Sequence, residues 1–148
     1  MQLKKEAKMS KKKWILAYQW ILRLASAAIL FQTLFFKFTG SSESIYIFTK
    51  VGMEPWGRIG SGVVELIASV CFLYTPICWL GALIASAVMF GAIFSHLTLL
   101  GIEVQGDGGL LFALACSVFV LSIQTLYFQR ASIPFVGQFL NAEEIKKN

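Results

Sequence analysis

The sequence predicts an all-α membrane protein, a four-transmembrane-helix antiparallel bundle with a short interfacial helix in its first outer loop. Three observations carry that expectation. First, the 148 residues are 57% hydrophobic and only 14% charged, with a mean hydropathy of +0.69. A soluble domain has about a quarter of its residues charged and could not bury this much apolar surface. Second, the apolar residues fall in four runs, near 14–36, 57–74, 79–100 and 110–128. Each approaches or exceeds the ~20 residues that cross a ~30 Å hydrocarbon core. In lipid only a helix satisfies its own backbone groups, so all four are helical. Third, Lys4, Lys5, Lys8, Lys11, Lys12 and Lys13 stand directly before the first run, the pattern that holds a segment in the cytoplasm.

Taken in order, residues 1–13 are a basic cytoplasmic N-terminus, 14–130 the membrane domain and 131–148 a cytoplasmic tail. The net charge of +5 is concentrated in the first segment. No second basic surface suggests nucleic acid as a partner; the lipid bilayer is the partner the composition implies. The run 14–36 is longer than the apolar part of a cleaved leader and ends in Phe35-Phe36-Lys37-Phe38, which is no cleavage site. In the loop 37–56, Ser41-Ser42-Glu43-Ser44 supplies helix-start chemistry, Gly52 a stop and Pro55 the entry to the next helix, predicting a short helix over 43–51. Thr75-Pro76-Ile77 makes a tight turn between helices two and three. Residues 101–109, with Glu103, Asp107 and glycines at 101, 106, 108 and 109, form another turn. Four crossings return the C-terminus to the side of the N-terminus, leaving 37–56 and 101–109 outside.

Small residues are expected at the packing faces, inside one bundle in preference to a dimer interface: Gly57, Gly60, Ser61 and Gly62 on helix two, and Ala87, Gly91 and Ser95 on helix three. Cys71, Cys78 and Cys116 form no C-x-x-C pair and read as small buried apolar side chains.

The apolar runs contain Arg23, Glu65 and His96, with Lys37 and Arg58 at the outer margin. A charge at the bilayer centre costs at least ~2.5–3.5 kcal/mol, so these side chains face the protein interior or a wet cavity. At 1.5 Å per residue, Glu65 lies about 12 Å, His96 about 6 Å and Arg23 about 20 Å below the outer ends of their helices. A long arginine reaching upward would meet Glu65. Two readings fit. One is a buried Arg23–Glu65 ion pair that fixes helix register, with His96 hydrogen-bonded beside it. The other is an outward-opening polar pocket of Arg23, Lys37, Arg58, Glu65 and His96, in which Glu65 and His96 exchange protons. One histidine and one carboxylate fall short of a metal site. Ser95 and His96, being neighbours in a helix, point apart and make no nucleophile–base pair.

The run Arg58-Ile59-Gly60-Ser61-Gly62-Val63-Val64-Glu65-Leu66 resembles the second-helix signature of the DoxX-like membrane proteins. Arg23, Lys37 and His96 are similar to that family's pattern, and Gly106-Asp107-Gly108-Gly109 resembles the outer loop of one subgroup. The resemblance implies a multi-pass four-helix bundle in the bacterial inner membrane. Some such proteins are subunits of membrane oxidoreductases acting with quinone, and others belong to redox-stress complexes or to protein assembly. The expected role is therefore an accessory subunit of a membrane redox system, not an enzyme on its own, with a redox protein as partner. No flavin, haem or iron–sulfur ligand set is visible, so a quinone is the cofactor considered. Alternatives are a membrane-protein assembly factor or chaperone, and a small proton-coupled transporter. Against the transporter, helices one, three and four lack a Gly/Pro break at a midplane site.

Overall fold

The computed structural model describes residues 2–134 and 136–138, and these are helical or turn throughout. The elements are α1 (Gln2–Thr39), α2 (Ser42–Lys50), α3 (Trp56–Leu73), α4 (Cys78–Ser95) and α5 (Leu110–Gln129). Short 3₁₀ turns at Thr75–Ile77 and Arg130–Ser132 and a π-helical turn at His96–Leu100 complete the path. The longest stretch of each of α1, α3, α4 and α5, with adjoining turns, is long and apolar enough to cross a membrane.

The first helix begins far earlier than the apolar run does. Lysine, glutamate, alanine and methionine are strong helix formers, and neither glycine nor proline interrupts residues 2–13. At 38 residues, α1 is about 57 Å long, so its amino-terminal turns continue beyond the hydrocarbon. The interfacial helix falls within one residue of expectation. The Ser41 hydroxyl caps it by accepting the Ser44 N–H at 3.3 Å, satisfying one of the donors a helix start leaves free.

The four spans stand at the corners of a square. α1 packs on α3 and α5, and α4 packs on the same two. The core between them is built from Leu30, Ala68, Phe72, Cys78, Ala82, Ala85, Met89, Ala115 and Val118. α3 and α4 come closest at Gly81, where an added Cβ would lie 2.8 Å from the Ala68 carbonyl oxygen. Backbone in that position cannot move aside, so glycine sets the spacing of the hairpin.

The small-residue stripe expected to pack inside the bundle does the opposite. Ala87 and Gly91 are exposed to the lipid side, and Ser95 is half-buried. The contact face of α4 is instead Gly81, Ala82, Ala85, Ser86 and Met89. Two stripes of α4 are rich in small residues, and helical spacing alone does not say which faces in. On α3, Gly60 is likewise exposed, whereas Gly62 is buried with Phe38 at 3.1 Å from its notional Cβ.

The bundle has two ends. The terminal face holds the α3–α4 turn and the end of α5. The loop face holds α2, the π turn and residues 101–109, and α2 touches α1, α3 and the π turn there.

Candidate functional site

The direction of a helical side chain decides which charges meet. Each Cα–Cβ bond tilts toward its helix's N-terminus. In α1 that direction is the terminal face, so Arg23 turns away from Glu65. Its Nε–H donates to the Phe72 carbonyl at 2.7 Å, and Nη1 and Nη2 donate to the Thr75 hydroxyl at 3.2 and 3.3 Å. The guanidinium also lies 4.1 Å from the Trp20 ring centroid. Phe72 ends α3, where the last carbonyls lack intrahelical donors and a cation is favoured. The expected Arg23–Glu65 pair therefore does not form; Arg23 is a cap on α3 and stands apart from the pocket proposed around it.

Glu65 pairs with Lys37 instead. Lys37 sits one turn from the loop-face end of α1, with its Cβ 3.7 Å from the notional Cβ of Gly62. The same tilt sends its side chain inward to Glu65, while Glu65, on the oppositely running α3, points outward to meet it. The Thr33 hydroxyl lies 3.0 Å from Glu65 Oε2 and 2.7 Å from the Leu30 carbonyl oxygen. Glu65 is 1% exposed and Lys37 17%. The ammonium is 5.8 Å from the Phe48 ring centroid, so the underside of α2 roofs the pair.

Arg58 belongs to the same network through the backbone. Its Nη1 donates to the Lys37 carbonyl, and Nε and Nη2 hold Glu54 at 2.7–3.0 Å. It caps α1 as Arg23 caps α3. Arg58, Lys37 and Glu65 are thus brought together. On the same roofing helix, the Ser44 hydroxyl is buried with no hydrogen-bond partner among the described residues.

His96 opens the π turn, a helix irregularity frequent at functional positions. Its Nδ1 is 2.8 Å from the Gly101 carbonyl oxygen, and its ring lies edge-on to Phe112 at 5.5 Å. A carbonyl only accepts, so Nδ1 carries a proton, and Nε2 has no hydrogen bond among the described residues. No hydrogen bond joins His96 to the Lys37–Glu65 pair among the described residues; α2 is the element that touches both neighbourhoods.

Thr33 and Glu54 were not singled out from the sequence, and Thr75 and Asp107 were read only as turn residues. Thr33 stands four residues before Lys37 on α1, a spacing that shares a helix face and was available to find it. Glu54 lies in the turn just before α3, four residues ahead of Arg58. Thr75 had no local signal. Asp107 accepts the N–H groups of Val104, Gly109 and Leu111 at 2.8, 2.9 and 2.9 Å and so starts α5. Partial burial pushes its carboxyl up, but the Leu111, Val104 and Gly109 N–H groups together hold it below the usual carboxylate range. Among the described residues no group of His, Cys, Asp and Glu side chains could hold a metal ion.

These features define a polytopic membrane protein whose four-span bundle carries a buried ion-pair network at one face and an arginine cap at the other. The family model DoxX matches residues 19–98. That is more than half of the chain, and it spans Arg23, Lys37, Arg58, Glu65 and His96; the chain belongs to the DoxX family. The comparisons with curated proteins and with solved structures gave no match.

Proposed function

We propose that this protein is an accessory subunit of a membrane redox system, holding the polar head of a quinone-like ligand at its loop face. The reading rests above all on His96, a buried imidazole whose Nδ1–H is engaged by Gly101 and whose Nε2 has no hydrogen bond among the described residues. A neutral imidazole in that state accepts from a quinol hydroxyl, and once protonated it donates to a quinone carbonyl. The Lys37–Glu65 pair under α2 supplies a fixed field beside the same face. Electrons would pass between the ligand and a partner protein. The lysines before the first span orient both termini to the cytoplasm, which puts this face on the outer side of the bacterial inner membrane.

Thermal unfolding of the wild type and His96→Ala, each with and without menaquinone and ubiquinone analogues, tests the proposal. A quinone that raises the wild-type midpoint but not that of the variant supports it. Equal responses, or none in either protein, overturn it. The exposed Ala87–Gly91 stripe favours a second reading, an assembly factor that docks other membrane helices. Copurification with a client membrane protein rather than a redox partner would select that reading.

A further inference from the structure

Gln32 is a polar side chain on the wrong side of α1. The helix buries Leu22, Arg23, Ser26, Leu30 and Leu34, whereas Gln32 is exposed on the opposite, lipid-facing side, near Ala28 and Phe35. It lies seven residues before the end of α1 at Thr39, about 10 Å below the loop-face end. It cannot turn back to water, because its side chain tilts toward the helix N-terminus and therefore deeper into the bilayer.

Several other polar groups of the spans are satisfied within the chain, although Gln19, nearer the terminal face, has no hydrogen bond among the described residues. Ser95, Thr98 and Ser117 donate to the Gly91, Phe94 and Ala113 carbonyls at 2.9, 2.7 and 2.8 Å. Gln124 accepts the Tyr18 hydroxyl at 2.6 Å. Gln32 takes part in no hydrogen bond among the described residues. A free carboxamide in hydrocarbon leaves donors and acceptors unpaired, and pairing them across helices is what draws membrane helices together.

We infer that the α1 face around Gln32 is a dimer interface, and that its occupant is Gln32 of a second copy of this chain. The amide carries both a donor and an acceptor, so it complements itself across a two-fold axis. An axis along the membrane normal keeps equal residues at equal depth, so the two amides meet without any adjustment. A foreign helix would need its own polar group at that one level. Ala28, one turn away, and the half-buried Ala25 let the backbones approach.

Sedimentation equilibrium in density-matched micelles measures the association, and Ala28→Cys in a Cys116→Ala background reports it in vesicles through an oxidised dimer. The expected result is a wild-type monomer–dimer equilibrium that Gln32→Leu weakens by roughly 3- to 30-fold for each hydrogen bond lost. Gln32→Asn should retain part of it. The Ala28→Cys disulfide should form readily, and Phe90→Cys, on an exposed site of α4, should give none. A monomeric wild type together with no disulfide at Ala28→Cys overturns the inference. So does a dimer equally strong in Gln32→Leu, which would place the interface elsewhere. Gln32 is exposed and makes no hydrogen bond among the described residues, so its replacement should leave folding intact.

Discussion

At the terminal face, Arg23 of α1 closes the last turn of α3; at the loop face, Arg58 of α3 closes the last turn of α1. The two arginines are reciprocal caps on one antiparallel helix pair, yet their surroundings differ. Arg23 is surrounded by a carbonyl, a hydroxyl and an indole ring, with no carboxylate among its partners in the described residues. Arg58 shares its end with Glu54, Lys37 and Glu65, under the roof of α2. At the first end the Arg23 guanidinium is fully engaged, although the buried Ser26 and Ser122 hydroxyls of α1 and α5 have no partner among the described residues. The second concentrates charge near a histidine nitrogen and a serine hydroxyl that have no partner among the described residues. Burial of a charged group in a membrane protein is thus no guide to a site, and neither is an unpaired hydroxyl, since both halves hold one. The loop face differs in setting paired charge near an imidazole nitrogen with no partner among the described residues.

The largest test of that contrast is Glu65→Leu. It leaves Lys37 beside apolar groups without its counter-charge, at a cost of ~3–5 kcal/mol for a fully buried pair. The lower end is expected, because Lys37 keeps 17% exposure and can withdraw toward the surface. Lys37→Met added to Glu65→Leu should recover most of the loss in denaturation of the purified protein. A double variant no better than the single one would mean that the pair does not act as a unit.

Arg23→Met should cost somewhat less, about 1.5–3 kcal/mol, the range for hydrogen bonds to a charged group. The contrast with the loop face is that no second replacement rescues it, since the Phe72 carbonyl stays unpaired. Recovery of stability in Arg23→Met with Glu65→Leu would instead show that these two charges are coupled after all.

Asp107→Asn should weaken the start of α5 by ~1 kcal/mol at neutral pH, as for loss of a helix-start acceptor. The folded carboxyl titrates below its unfolded value, so its contribution is complete above the unfolded pKa, about 3.9. That contribution is lost as pH falls through the folded value. Melting curves of wild type and Asp107→Asn should therefore converge as pH falls below about 4. A gap that stays constant into acid would remove the charge from the explanation.

Thr33→Val is the smallest change, about 0.5–1.5 kcal/mol, because only one hydroxyl contact to Glu65 is removed. Its effect should vanish in the Glu65→Leu background. Persistence there would assign the loss to packing of α1 rather than to the ion-pair network.

The sequence by itself determined the spans, the interfacial helix and the set of ionisable residues held in the membrane. Hydrocarbon requires long apolar helices and rejects stray charge, so these features are written in residue type and spacing. The Thr33–Lys37 relation, a four-residue step along α1, was open to the same reasoning but was not drawn from it. Which charges meet across helices was a different matter. Arg23 and Glu65 looked close in depth, but the tilt of side chains toward each helix's N-terminus sends them different ways and hands Glu65 to Lys37. The same holds for α4, where two small-residue stripes satisfied the same spacing. Only the approach of Gly81 to the Ala68 carbonyl decided that the Ala82–Ala85 stripe faces the core and the Ala87–Gly91 stripe faces lipid. Depth and periodicity are properties of one helix. Pairing is a property of two, and it is fixed by their relative rotation and by the direction in which each chain runs.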